Sequence, residues 1–194
     1  MKKRNIAIIA ILAFTSITVN AKIWLGGEMT LNTHSTSRAG YLLNSGTQFE
    51  ISPEVGYYVS DKLSIGLSIS LAHIDNAEVH VIDQKAYGTY NEWSVIPFLR
   101  YTYYRIGNFS FYADGGAYYN ALVKSGEDET LHGVGLGIRP GLAYAISDKV
   151  GLTGHLGSVG YDYQWMKENG QTLTNNAFCF NIFGSISFGA YINF

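Results

Sequence analysis

The sequence predicts an all-β chain: eight antiparallel strands closed up-and-down into a transmembrane barrel. Three observations carry this. Apolar residues recur at every second position through most of the chain, charged residues make up only 14% of 194 residues, and tyrosine and glycine are plentiful at 15 and 22. Amphipathic rings and small residues at that level suit narrow strands edged by aromatic belts. The formal charge of -2, with no basic patch beyond the first residues, excludes a nucleic-acid footprint.

Residues 1–21 have the form of a secretory signal peptide: Lys2, Lys3 and Arg4, the apolar run Ile6 to Phe14, then a polar stretch ending Val19-Asn20-Ala21. Cleavage is expected after Ala21, leaving 22–194 as the barrel domain. The apolar run is too short to span a bilayer, so membrane residence would come from strands. Cys179 is the single cysteine, which rules out an intrachain disulfide.

Alternation places eight strands. The first, 22–32, sets Ile23, Leu25, Met29 and Leu31 against Trp24, Glu28 and Thr30. The second, about 48–59, sets Phe49, Ile51, Val55 and Tyr57 against Glu50, Glu54 and Gly56; the third, from Leu63 to Leu71, sets leucines and isoleucines against serines and Gly66. The fourth, about 90–104, opposes Trp93, Leu99 and Tyr101 to Glu92, Phe98 and Arg100. It turns at Gly107-Asn108 into the fifth, which opposes Phe111 and Tyr119 to Tyr112 and Asp114. The sixth, about 132–146, opposes Leu136, Leu142 and Tyr144 to Arg139 and several glycines. The seventh starts at Val150, carries His155 inward, and loses phase near Gly157-Ser158, as at a bulge. The eighth, 176–194, is uncharged and ends on Phe194. Turns at 60–62, 105–108 and 147–149 are short, whereas 33–47, 73–89, 122–131 and 160–175 are expected to be long polar loops. That asymmetry puts both termini at the periplasmic end and the long loops outside the cell.

A repeat lies over this pattern. Pro53-Glu54-Val55-Gly56-Tyr57, Pro97-Phe98-Leu99-Arg100-Tyr101 and Pro140-Gly141-Leu142-Ala143-Tyr144 share one form, and a further step of the same length reaches Phe188. Tyr57, Tyr101 and Tyr144 are expected to form a periplasmic-side aromatic girdle, with Phe188 at their height. The prolines are expected at bulges. The last strand should close on the first, Lys22 to Asn32.

The apolar face is too large for the inside of eight strands, which side chains merely fill. It must face lipid. Arginine at mid-bilayer would cost about 2 to 4 kcal/mol, so Arg100 and Arg139 belong inside, with Glu28, Glu50, Glu54, Glu92 and Asp114, as a lumen charge network. That network is expected to plug the lumen; the alternative is a narrow, weakly cation-selective pore, given the excess of carboxylates.

The run Ser52 to Gly66, the segment Pro97 to Tyr101 and the terminal Phe194 resemble the small outer-membrane β-barrel domain family, the OmpX, OmpA and opacity-protein-like porin family, along the whole chain beyond residue 21. The resemblance implies integral residence in the Gram-negative cell outer membrane amid lipopolysaccharide. It also implies folding by the barrel-assembly machinery, which reads a last strand ending in an aromatic; Phe188, Ile192 and Phe194 match that signal. It does not imply one activity, because members include anchors, adhesins, narrow pores and a few lipid A-modifying enzymes.

No catalytic, cofactor-binding or metal-binding residues are expected, and no cofactor. His34 with Ser35 and Ser37, and His73 with Asp75, match no catalytic spacing, and His73, Asp75, His80 and His132 match no metal-ligand spacing. Tyr161, Tyr163 and Trp165, leading to the Asn169-Gly170 turn signal, are surface candidates: an outer girdle, or a sticky face for an extracellular protein or glycan. The sequence-level expectation is therefore a monomeric, non-enzymatic, adhesin-like barrel with a plugged polar lumen.

Overall fold

The computed structural model describes residues 22–38, 41–81, 84–126, 130–168 and 171–194, with 32–38, 41–45, 76–81, 84–87, 168 and 182–185 described by backbone path alone. The expected signal segment, the acidic Glu127 to Glu129 stretch and the Asn169-Gly170 turn lie outside the described residues, as do the side chains of His34, Ser35, Ser37 and His80. Eight strands form one closed antiparallel barrel in chain order: β1 (Ile23–Arg38), β2 (Tyr41–Tyr58), β3 (Leu63–Val81), β4 (Gln84–Ile106), β5 (Phe109–Lys124), β6 (Thr130–Ala145), β7 (Val150–Glu168) and β8 (Gln171–Asn193).

The short turns fall where expected. Two of them share the sequence Ser-Asp-Lys and the same internal bonding: Leu63 N–H donates to Ser60 Oγ and Val150 N–H to Ser147 Oγ, both at 3.1 Å. At the other end the expectation of long loops is corrected. β3 and β4 stay paired out to Val81 and Gln84, and β7 and β8 out to Glu168 and Gln171. Once both faces of a hairpin meet water, its backbone ladder needs no apolar alternation, so the apolar pattern stops before the strand does.

Outward residues form a belt around all eight strands, with Leu31 and Leu136 at 67% exposure and Phe188 at 71%. A soluble monomer does not present a contiguous apolar patch on this scale; the belt is a lipid-facing surface. Tyr57, Tyr101 and Tyr144 face outward near the short turns, as expected of a girdle. Phe188 faces outward on β8 and pairs with Gly154 on β7. At the far edge the exterior turns polar at once: on β3 and β4, Leu71 and Trp93 give way to the hydrogen-bonded pair His73–Asn91, 2.9 Å apart.

Each proline keeps its ladder on one side and interrupts it on the other. Pro53, Pro97 and Pro140 pair with Gly27, Leu67 and Ala113 respectively. Towards the following strand the register skips Ser52–Pro53, Ile96–Pro97 and Arg139–Pro140. A missing N–H explains the skips. Only at Pro140 does the register shift, so a bulge is confirmed there and replaced by a local gap at the other two. The expected irregularity in β7 is present: the register shifts between His155 and Gly157, and Gly157 has φ of 110°, a conformation that favours glycine.

Inward aromatic rings lie over glycines on the neighbouring strand. Trp24 is the register partner of Gly56, Phe98 of Gly66, Tyr112 of Gly141 and Tyr191 of Gly151. A Cβ at Gly56 would meet the Trp24 ring at 2.3 Å, and one at Gly66 the Phe98 ring at 2.4 Å. The rings can therefore lie flat along the wall of a narrow lumen.

Closure joins β1 to β8, as expected, but only over Trp24–Asn193 through Met29–Phe188. Among the described residues, beyond that point β1 pairs with β2 alone and β8 with β7 alone. β8 also carries residues 183–186 opposite the single residue Leu156.

A substitution at Gly56 tests the ring-over-glycine packing. Gly56→Ala should destabilise the barrel by about 1–3 kcal/mol in urea unfolding from lipid vesicles, as overpacked cores do. Gly115→Ala, whose Cβ would meet nothing within 4 Å, should change stability by less than about 0.5 kcal/mol.

Candidate functional site

The lumen is filled from its middle outward. Asp114 on β5 stands directly opposite Arg100 on β4 and Arg139 on β6. Strand parity sends all three side chains inward, and pairing puts them at one level. Arg100 donates from Nε to Asp114 Oδ1 and from Nη2 to Oδ2, both at 2.8 Å, and reaches Glu54 at 3.4 Å. Three rings enclose the guanidinium: Tyr112, Trp24 and Phe98, with centroids 4.3, 4.7 and 5.3 Å from its central carbon. A buried charge is tolerable only with such saturation, and cation–π contacts strengthen as water is excluded.

His155 extends the network across the barrel. Its Nδ1 lies 2.8 Å from the Glu28 carboxylate on β1 and its Nε2 lies 2.9 Å from Asp114 Oδ2, while Tyr112 packs edge-on against the ring at 5.3 Å. A ring that faces a carboxylate at each nitrogen bonds to both only by donating from both. Ser187 Oγ donates to Glu28 at 2.7 Å, and Arg139 lies 3.7 Å from Asp114. Three carboxylates, Glu28, Glu54 and Asp114, thus meet three basic side chains, Arg100, Arg139 and His155.

Glu50 and Glu92, grouped with this network on sequence grounds, bond elsewhere. Glu50 accepts from Ser70 at 2.5 Å and Ser52 at 3.0 Å, and Glu92 accepts from Asn120 at 2.7 Å. With Asp162, which accepts from Tyr118 and from Cys179 Sγ, they line a cavity of about 510 Å³ in the half of the lumen away from the short turns. Parity alone cannot tell these levels apart, because strand tilt and register decide which inward residues meet.

Towards the ribbon end a second filling appears that the sequence reading missed. Tyr90, Leu122, Leu131 and Met166 are buried together, with Ile74 and Leu173 packed against them, one residue from each of β3 to β8. All six fall outside the strands expected from alternation or at their margins, Met166 within the 160–175 stretch expected as a loop and Tyr90 at the very start of the fourth strand. Inward parity continued through those stretches was the signal that could have found them.

Outside, Tyr163 and Trp165 belong to a lateral row of rings. Tyr163 stacks on Trp165 at 5.9 Å, Trp165 on His132 at 5.5 Å and His132 on Tyr119 at 6.1 Å, and Tyr119 meets Trp93 at 5.4 Å. His132 Nδ1 and Tyr119 OH are 2.8 Å apart. Tyr161, 51% exposed, lies one outward position below the row. His73 and Asp75 each bond across to β4, to Asn91 and Thr89, and do not meet one another. Among the described residues no three His, Cys, Asp or Glu side chains converge as metal ligands would. In β8, Phe188, Ile192 and Phe194 face outward along the closing strand, and Phe194 N–H donates to Ile23 O at 2.9 Å.

The chain matches the family model described as the outer membrane protein beta-barrel domain over residues 6–182. No curated protein matches it by sequence. Among solved structures it is similar to Neisserial surface protein A, with 16% identity over 90% of this chain and 98% of that one and a TM-score of 0.51. It is also similar to the outer membrane protein OprG from Pseudomonas aeruginosa, at 12% identity, 89% and 93% coverage and a TM-score of 0.47. The attachment invasion locus protein Ail of Yersinia pestis is 15% identical, with 89% and 96% coverage and a TM-score of 0.38. At these identities the likeness is one of fold.

Removing one member of the central pair should show how saturated it is. Arg100→Met, which strands Asp114 and Glu54, should cost about 3–5 kcal/mol in urea unfolding. Adding Asp114→Leu should recover part of that loss, read as a coupling of at least about 1 kcal/mol in the double-mutant cycle.

Proposed function

The chain belongs to the outer membrane protein beta-barrel domain family, and from that premise we propose that it is a non-conducting, non-enzymatic surface barrel: a closed scaffold in the outer membrane that displays paired ribbons to the exterior. The observation that carries this reading is the double filling of the lumen, an ionic plug around Arg100 and an apolar cluster around Leu122 and Met166. A solute would have to break both. Buried ion pairs separate at high cost, and a constriction of packed apolar groups excludes water.

The ribbons support the second half of the reading. β3 runs ten residues past Leu71 to Val81, still paired with β4, which is about 30 Å along the strand at 3.3 Å per residue. A crossing needs only about 9–11 residues, so much of this hairpin stands clear of the lipid. Short turns at one end and long extensions at the other support an orientation with the ribbons outside the cell and both termini in the periplasm. The ring row from Trp93 to Trp165 marks the outer interface, where aromatic side chains sit against headgroups and sugars of lipopolysaccharide. The ligand class of the ribbon tips is an extracellular protein or glycan, because loops on a rigid barrel are where binding residues gather. Assembly is by the barrel-assembly machinery through the Phe188, Ile192 and Phe194 strand.

A narrow cation pore is the second reading, favoured by the carboxylates Glu50, Glu92 and Asp162 around the 510 Å³ cavity. Planar-bilayer recording separates the two. The refolded protein should be electrically silent, and steady unitary openings with cation selectivity would establish the pore. Deleting 167–172, at the tip of the β7–β8 ribbon, should abolish binding of whole cells to extracellular matrix or glycan surfaces while the barrel keeps its heat-sensitive gel mobility. Unchanged binding would remove that ribbon from the interaction.

A further inference from the structure

We propose that the open stretch of seam between β1 and β8 binds an anionic single-chain amphiphile, its head inside the lumen and its chain along the apolar wall. The seam itself is the first observation. Among the described residues closure pairing stops at Met29–Phe188, and beyond that point Leu31 on β1, at 67%, and Phe180 and Phe178 on β8, at 69% and 70%, face outward and are strongly exposed. Those side chains place the unpaired edges within the lipid belt. Backbone groups without partners are costly in hydrocarbon, which is why membrane barrels close their edges. An edge left open at this depth calls for a ligand that brings its own polar groups.

What lies behind the seam defines that ligand. A polar cavity of about 280 Å³ is lined by Glu28 and Thr30 from β1, Asn181 and Ser187 from β8, and Arg139 and His155 between them. It shares Gln48, Glu50, Arg139 and Ser158 with the 510 Å³ cavity. The ionic plug closes the middle of the lumen, and the described members of the apolar cluster at the ribbon end come from β3 to β8; the cavity residues from β1 and β8 flank the seam. A volume of this size takes a carboxylate or phosphate group and a few methylenes, not a bulky headgroup.

The sign of the head follows from which cavity groups are already engaged. Glu50 accepts from Ser52 and Ser70, and Glu28 from Ser187 with His155 beside it. Arg139, by contrast, stands 3.7 Å from Asp114, beyond hydrogen-bond reach, with 30% of its side chain exposed. Its planar fork of donors fits a carboxylate or phosphate bidentately. The chain then leaves through the seam between Leu31 and Phe180. This site is independent of whether the ribbons bind anything outside the cell.

Native mass spectrometry of the refolded full chain, with palmitate as the probe, tests the site. A one-to-one adduct is expected on the wild type. Hexadecanol, with the same chain and a neutral head, and palmitate on Arg139→Gln should each bind at least about tenfold more weakly, the worth of a charge-assisted hydrogen bond. Leu31→Cys with Ile186→Cys, in a Cys179→Ser background, allows the seam to be bridged by a short reversible bis-thiol linker. Bridging should remove the adduct and reduction should restore it, with heat-sensitive gel mobility showing the barrel intact throughout. The proposal fails if the wild type holds no palmitate, if hexadecanol is retained equally, or if the adduct survives bridging. Equal retention of dipalmitoyl phosphatidylglycerol would overturn the single-chain assignment. A two-chain mass abolished by bridging would assign the edge to a second copy instead. Should Arg139→Gln fail to fold, the hexadecanol comparison still decides the charge of the head.

Discussion

A guanidinium at the middle of a narrow barrel has to be surrounded completely, and the surroundings of Arg100 account for most of the lumen's architecture. Asp114 supplies two of its hydrogen bonds, Glu54 a third contact, and Trp24, Phe98 and Tyr112 the remaining faces. The rings fit only because the register sets glycines opposite them, so the placement of Gly56, Gly66 and Gly141 is part of the same arrangement. His155 then ties Asp114 to Glu28 and fastens β7 to β1 and β5 across the interior. In a membrane protein whose outer surface gains nothing from water exclusion against lipid, such interior bonding is what distinguishes one strand register from its slipped alternatives.

The two surfaces of the sheet therefore carry different tasks. The outer face supplies residence in lipid through the belt and its aromatic margins, and tolerates irregularity: all three prolines lie on it, each interrupting one ladder. The inner face supplies specificity through paired charges at one level and packed apolar side chains at another. Between them lie the carboxylates Glu50, Glu92 and Asp162, each engaged by a neighbouring donor. Both proposed interactions of this scaffold sit at its margins, on the ribbons and at the seam.

Much of this was legible in the sequence because a strand has an unambiguous two-residue period. Parity alone put Glu28, Glu54, Arg100, Asp114 and Arg139 inside and Tyr57, Tyr101 and Tyr144 outside. Level was not legible: Glu50 and Glu92 share the parity of Arg100 but bond to serines and an asparagine higher in the lumen, and only cross-strand register reveals it. Ile74, Leu131 and Leu173 went unnoticed because they sit among polar residues in stretches resembling loops, and Leu122 because its run, Ala121-Leu122-Val123, does not alternate. The short β1–β8 closure was hidden for a different reason. The extra residues 183–186 in β8, opposite Leu156, keep apolar alternation intact, so the sequence shows no break there.

A closed plug requires Arg100 to be sealed from water between its carboxylates and rings, and hydrogen exchange at its Nε–H in lipid nanodiscs measures that directly. A resolved Arg100 Nε–H resonance that persists for hours in deuterated buffer, as buried and hydrogen-bonded groups do, is the predicted result. Exchange within milliseconds, at the rate of a solvated guanidinium, would mean that water threads the lumen and that the plug is not closed.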